Sequence, residues 1–171
     1  VQMIRATIRS NYYQLDKNKN PKDYISFKFD MAQMTMLEEK GISKEIFVYA
    51  SHVQGVHMRS SAVARGGIRW SDRLDYRREV RGLVKTQNMK NAAIIPTGAK
   101  GVFYLNPDFC EGVNMKEQSL RGYRTFICGL LDITDNIIDA KVKHPRGVVC
   151  YDDPDPYFVV AADKGTATFS D

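Results

Sequence analysis

Lys90-Asn91-Ala92-Ala93-Ile94-Ile95-Pro96-Thr97-Gly98-Ala99-Lys100-Gly101 reads as the end of a helix, a short buried strand and a glycine-flanked turn that presents a lysine. Ala92 to Ile95 is a brief apolar run stopped by Pro96, the pattern of a buried strand closed by a turn. Gly98 and Gly101 permit backbone conformations that a side chain forbids, or the close approach of a ligand. Lys100 lies between them. A lysine held on a rigid turn beside an apolar strand loses solvation, and its neutral amine becomes available as a base. A solvated loop lysine is the plainer alternative.

Outward from this stretch, composition narrows the class. The chain has 171 residues, enough for one domain with a real core, and a hydrophobic fraction of 43% argues against wholesale disorder. Its net charge of +5 is spread among acids, with no basic run and no aromatic-basic interleaving. That pattern marks no nucleic-acid surface and suits anionic small molecules, with a nucleic-acid binder left as a rival that salt-dependent DNA or RNA binding would reveal. Cys110, Cys128 and Cys150 lie far apart and fit no metal spacing, which points to reduced thiols in the cytoplasm. There is no signal peptide and no apolar run long enough to cross a bilayer, so no membrane partner is expected. The sequence starts at Val1 without an initiator methionine and stops after Thr168-Phe169-Ser170-Asp171, as a piece cut from a longer protein would.

Upstream, alternation of polar and apolar residues predicts strands from about Ile4 to Tyr13 and from Asp23 to Phe29, joined through the polar turn Asp16 to Pro21. Glu45 to Arg59 predicts one or two more strands, with Gly55 as a bulge or bend. His52 and His57, five apart on a strand, fall on opposite faces and share no metal. Ser60 to Trp70 reads as a loop in which Gly66 and Gly67 bring backbone N–H groups near an anion and Arg65 binds a carboxylate. Asp72 to Lys90 reads as a helix capped by Ser71, with an inward stripe of Tyr76, Val80, Leu83, Val84 and Gln87. Lys90 projects from that apolar side, so Gln87 and Lys90 are candidates for a charged group of a substrate.

Downstream, Gly101 to Leu105 is a strand, and Asn114 with Glu117 opens a long helix. Its expected buried stripe is Leu120, Tyr123, Ile127, Leu130, Leu131, Thr134, Ile137 and Ile138. Val148 to Tyr151 is a strand, and Asp152-Asp153-Pro154-Asp155-Pro156 is a solvated acidic turn rather than a metal site. Tyr157 to Ala162 is a fully apolar strand that delivers Asp163 beside Lys164-Gly165-Thr166. A carboxylate where a buried strand meets a glycine turn is a common place for a reacting group. If Asp163 and Lys100 share a cleft, they can exchange protons.

Four motifs go beyond spacing. Arg65-Gly66-Gly67-Ile68-Arg69-Trp70, Lys85-Thr86-Gln87-Asn88-Met89-Lys90-Asn91-Ala92, Pro96-Thr97-Gly98-Ala99-Lys100-Gly101 and Ala161-Ala162-Asp163-Lys164-Gly165-Thr166 resemble, in that order, the glutamate dehydrogenase family, nearest its large NAD-specific bacterial type. The resemblance runs from about Val53 to the end and leaves the first fifty residues without a match. It implies Lys100 as the base that activates water and Asp163 as the group handling proton transfer to the substrate nitrogen. It implies Lys90 and Gln87 at the α-carboxylate, and Arg65, followed by Gly66 and Gly67, at the side-chain carboxylate. The hexameric enzymes of the family carry lysine where this chain has Arg65, and a second glycine where it has Val102.

The resemblance further implies an α/β fold with a mixed β-sheet flanked by helices, the substrate-binding domain of the amino acid dehydrogenases. Residues 1–50 would be N-terminal strands and 51–171 the substrate-binding domain. The reaction would convert L-glutamate to 2-oxoglutarate and ammonia with NAD as cofactor. NAD would be held by a Rossmann domain absent from this chain, which contains no GxGxxG turn after a strand. On that reading the chain alone is inactive, and the full-length enzyme is a homo-oligomer of the cytoplasm. A leucine or phenylalanine dehydrogenase would share Lys100 and Asp163, but Arg65 argues for an acidic side chain. A non-catalytic binding module has no reason to carry Lys90, Lys100 and Asp163 together.

Overall fold

The structure is a computed structural model that describes residues 1–34, 41–90, 95–109, 112 and 114–169. In chain order the elements are α1 (Gln2–Ala6), β1 (Thr7–Ser10), β2 (Tyr24–Asp30), β3 (Lys44–Ala50), β4 (Val53–Arg59), β5 (Ala64–Ser71), α2 (Tyr76–Lys90) and β6 (Thr97–Leu105). They continue with α3 (Met115–Asp132), β7 (Asn136–Ile138), β8 (Lys141–Lys143), β9 (Val149–Cys150) and β10 (Val160–Ala162). Eight strands make one mixed sheet in the order β10-β5-β6-β4-β3-β2-β1-β9, and β7 and β8 form a separate hairpin. At one edge β10, β5 and β6 run parallel, and from β4 onward the neighbours are antiparallel. Residues 1–50 thus supply three strands of the same sheet that carries Lys100.

Alternation along the strands builds two cores, one on each face. Val102 and Tyr104 of β6, with Val56 and Met58 of β4, pack against Tyr76, Val80 and Val84 of α2. Phe103 and Leu105 point the other way, with Ile46, Val48, Val53 and Ile68, onto Phe126 and Leu130 of α3. The α2 stripe follows the expected helical spacing.

Several expectations are corrected. Residues 91–94, most of the proposed Ala92–Ile95 strand, lie outside the described residues, and Ile95 is 81% exposed. The strand begins later, at Thr97, and runs straight through Gly98 and Gly101, so Lys100 sits on a strand rather than a turn. Ser60 to Trp70 is likewise a loop only to Val63, since Ala64–Ser71 is β5. Its glycines serve close strand contact: a Cβ on Gly66 would stand 1.5 Å from the Ala99 carbonyl oxygen. Gly55 lies within regular pairing of β4 with β3 and β6, where a Cβ would meet the Phe126 ring at 2.6 Å. It makes room for α3, with no bulge.

The first expected strand is confined to Thr7–Ser10, because the residues before it close a short helix in which the Thr7 hydroxyl donates to the Met3 carbonyl. Helix α2 starts at Tyr76 and not Asp72. Ser71 accepts from the Arg73 N–H and donates to Glu79, and Arg73 clamps Asp75, tying residues 71–75 into a turn ahead of the helix. In α3 the Asn114 cap holds, its side chain accepting from the Lys116 N–H. Of the expected stripe, Leu130 is buried and Tyr123 and Ile127 pack partly buried against the core, while the rest of the buried face is Gln118, Ser119, Gly122, Phe126 and Gly129. Gly122 and Gly129 carry that face because Leu105 and Val48 approach to within 2.4 and 2.5 Å of where a Cβ would be. Leu131 is half exposed, and Ile137 and Ile138 stand in the exposed hairpin.

The acidic turn is neither solvated nor bare. Arg9, Lys28 and Arg59, from β1, β2 and β4, are buried. Arg9 grips Asp135 with two bonds of 2.8 and 3.0 Å and Asp152 with one of 2.5 Å. Lys28 bonds Asp152 at 2.6 Å and Asp155 at 2.8 Å, and Arg59 pairs with Asp155. Three buried cations meet three aspartates, which satisfies charges that would be costly alone. Burial still pushes the Lys28 amine down to about 8 against the pull of Asp152. The network fastens the segment that leads into β10. That strand is only Val160–Ala162 and partly exposed, being the sheet edge and not the fully apolar core strand expected.

Candidate active site

The three parallel strands converge on one group of side chains. On β6, Lys100 pairs across the sheet with Met58, which places it on the α2 face. On β5, the register Arg65↔Gly98 and Ile68↔Gly101 sets Gly67 beside Lys100. On β10, Ala161 pairs with Gly67 and Ala162 with Ile68, so the chain leaves the strand at Asp163 directly past Gly67. Lys100 Nζ and Asp163 Oδ2 are 2.5 Å apart. Arg69 Nε donates to the same oxygen at 3.0 Å, and the Lys164 N–H donates to Oδ1 at 2.8 Å.

Gly67 decides whether this can exist. A Cβ there would stand 2.6 Å from Asp163 Cβ and 2.9 Å from Oδ2. Contacts under 3 Å between such atoms do not occur without displacement, so the missing side chain is what lets Asp163 settle over β5 within reach of β6. Thr166, fully buried, fixes the approach: its hydroxyl donates to the Ile68 carbonyl at 2.7 Å and accepts from the Asp163 N–H at 3.0 Å. Partial burial alone would raise the pKa of Asp163, but the bonds from Lys100 and Arg69 outweigh it and hold the carboxyl down at about 2. An ionised carboxylate beside a lysine amine, both only about one-fifth exposed, is a pair equipped to hold and pass protons.

The remaining sequence-derived candidates gather at the end of α2. Gln87 Nε2 donates to the Arg65 carbonyl at 3.3 Å, joining two of them through backbone. Its Oε1 is buried with no partner among the described residues. The side chain of Arg65 is exposed, and so is Lys90, the last residue of α2, contrary to the expectation of an inward-projecting charge. Asn88, which the sequence reading passed over, is the anchor here. Its Oδ1 accepts from the Gly98 N–H at 3.2 Å and its Nδ2 donates to Ser60 at 2.5 Å. It pins the helix end to the start of β6, two residues from Lys100. Arg69 and Thr166 were also passed over, although both lie inside the quoted motifs.

The connection between β5 and α2 is poor ground for a dinucleotide. The connection from β5 into α2 is Ser71-Asp72-Arg73-Leu74-Asp75, with carboxylates and no glycine where a pyrophosphate would need bare N–H groups. Asp135, His144 and Cys150 bring ligating atoms within 4.8 Å of one another. Both Asp135 oxygens are engaged, by Arg9, His144 and the Asp155 N–H, so a cation there would compete with the buried guanidinium. Among the described residues no helix is long and apolar enough to cross a membrane.

Against known proteins, residues 1–171 match the family described as bacterial NAD-glutamate dehydrogenase, catalytic domain, and the match takes in the first fifty residues. A Pseudomonas aeruginosa protein named NAD-specific glutamate dehydrogenase is 52% identical over 99% of the chain, and one from Halomonas elongata is 49% identical over 100%. A Mycobacterium tuberculosis protein of the same name is 44% identical over 99%. The chain spans about 11% of the length of each of these relatives.

Proposed function

The chain belongs to the family of bacterial NAD-glutamate dehydrogenase catalytic domains, and we propose on that premise that it supplies the substrate-binding part of a site for oxidative deamination of L-glutamate. NAD, on this reading bound mainly by residues outside this chain, would supply the acceptor for the hydride of the α-carbon. Lys100 takes a proton from the water that then adds to the iminium carbon. Asp163 carries the proton that leaves with ammonia, and 2-oxoglutarate is the other product. Lys100 acts in its neutral form, so its ion pair with Asp163 is exchanged during the cycle. Lys90 and Gln87 meet the α-carboxylate; Arg65, at the Gly66-Gly67 step, meets the side-chain carboxylate.

The observation that carries this reading is the Lys100–Asp163 pair formed over Gly67. A partly exposed base and acid in contact have no structural need to be built across a strand that must be bare to admit them. The whole enzyme is taken as a cytoplasmic homo-oligomer. The test is NADH formation from L-glutamate by an enzyme carrying this chain, with loss of turnover in Lys100→Ala. Full turnover in a folded Lys100→Ala enzyme defeats the assignment.

A further inference from the structure

Asp163 has two cationic partners, from two different strands, on one oxygen. Only one of them is asked to leave. In the reaction proposed above, Lys100 turns to the attacking water, and at that moment the carboxylate loses its shortest bond. What remains is Arg69 Nε on Oδ2 and the Lys164 N–H on Oδ1, one donor for each oxygen. The carboxylate plane is thereby held at both corners without Lys100.

We infer that Arg69 is a positioning residue that keeps the Asp163 carboxylate aligned and ionised while Lys100 is engaged with the substrate. This rests on the proposed function for its setting, although its geometry stands alone. Arg69 suits the task because guanidinium stays charged and its Nε–H has a fixed direction. It sits on β5 beside the end of β10, so the bond reaches from a sheet strand to the first residue past its parallel neighbour, which Thr166 fastens to the Ile68 carbonyl. The groups facing the carboxylate are Lys100 from β6, Arg69 from β5, the Lys164 N–H that follows it in the chain, and bare Gly67 beneath. The side chains of Arg69 and Asp163 are 27% and 22% exposed, so water and substrate reach the pair without unfolding it.

Two measurements test this. The first follows the Asp163 carboxyl by 13C NMR in the 171-residue chain, whose folded state is read from the same spectra. In Lys100→Ala the carboxyl should still titrate below the ordinary carboxylate range, because Arg69 remains. A return to the ordinary value overturns the inference. The second is kinetic and uses an enzyme carrying the whole catalytic machinery. Arg69→Gln should lower kcat by about 10- to 100-fold, the cost of losing alignment by about an ångström, with KM for L-glutamate unchanged. Arg69→Lys should recover part of that loss. A raised KM with kcat intact would make Arg69 a substrate contact and overturn the positioning role, as would an unchanged kcat. Full turnover in Lys100→Ala would instead remove the glutamate dehydrogenase reading and leave the titration to decide Arg69.

Discussion

Lys100 lies on β6 and Asp163 directly follows β10, two strands separated by β5, and the two side chains meet at 2.5 Å over its Gly67. A single residue without a side chain thus connects the outer strand to the inner one chemically. The proton-transfer part of the proposed function passes through that gap.

Substituting either member of the pair should abolish turnover while leaving the fold. In an enzyme carrying this chain, Lys100→Ala and Asp163→Asn should each lower kcat by about 10²–10⁴-fold, the usual contribution of a positioned proton-transfer group. Circular dichroism checks that the variants are folded. Loss of glutamate affinity with kcat kept would move Asp163 from proton transfer to binding.

Gly67→Ala is the sharper probe, since it adds one methyl group and no charge. The new Cβ would crowd Asp163 Cβ at 2.6 Å. Asp163 has to move by several tenths of an ångström or more, and kcat should fall by about two powers of ten. Wild-type kcat in Gly67→Ala would show that the pair tolerates displacement.

Arg65 and Lys90 separate by substrate. Arg65→Ala should penalise L-glutamate more than a neutral analogue such as norvaline, since only glutamate offers a second carboxylate. Lys90→Ala should penalise both alike. Comparison of kcat/KM across the two substrates checks this, and equal losses at Arg65 would restrict it to a structural part.

His57 predicts a pH dependence of stability. The imidazole is buried against Phe158, and burial holds its pKa down to about 3, with Arg59 adding to the shift. The unfolded chain, with an ordinary value near 6.5, therefore binds the proton more readily than the folded one. Stability attributable to His57 is full above about pH 6.5 and falls as the pH drops toward 3. The slope approaches 1.4 kcal/mol per pH unit at most. Urea midpoints at pH 7, 5 and 4 should converge for His57→Gln relative to wild type; parallel curves would refute it.

The buried ion-pair network makes a prediction of the opposite kind, about loss without chemistry. Arg9→Met leaves Asp135, fully buried, without the guanidinium that now occupies both its oxygens. Removing one partner of such a pair costs about 3–5 kcal/mol. Denaturant unfolding of the Arg9→Met chain measures it, and a cost below about 1 kcal/mol, typical of exposed pairs, would mean that solvent reaches Asp135.

What could be read beforehand followed local periodicity. Tyr24–Asp30 alternates and is β2, and Tyr76, Val80 and Val84 recur at helical spacing and are the buried face of α2. Glycine defeated the reading elsewhere. Gly66-Gly67 and Gly98 to Gly101 carry the composition of turns but lie in adjoining strands, because Gly66 abuts Ala99, Gly67 abuts Asp163, Gly98 abuts Gln87 and Asn88 of α2, and Gly101 abuts Ile68 and His57. Gly122 and Gly129 shifted the apparent stripe of α3 in the same way. The Arg9, Lys28, Arg59, Asp135, Asp152 and Asp155 network left no local trace, since its members come from segments distant in sequence. The motifs drew Lys100 and Asp163 to notice. That Arg69 shares the carboxylate with Lys100 was visible only once β10 lay beside β5.

The three-residue edge strand β10 has one further consequence. Among the described residues it has a partner on one side alone, and three residue pairs tie it to β5. Openings at such margins require far less free energy than unfolding the whole sheet. Warming or mild denaturant should therefore peel Asp163 away from Lys100 while the central strands keep their amide protons from exchange. On the proposed function, an enzyme carrying this chain would then be inactive and nearly native at once. Its inactivation curve would run ahead of its melting curve, and a ligand that bridged β5 and β10 would bring the two together.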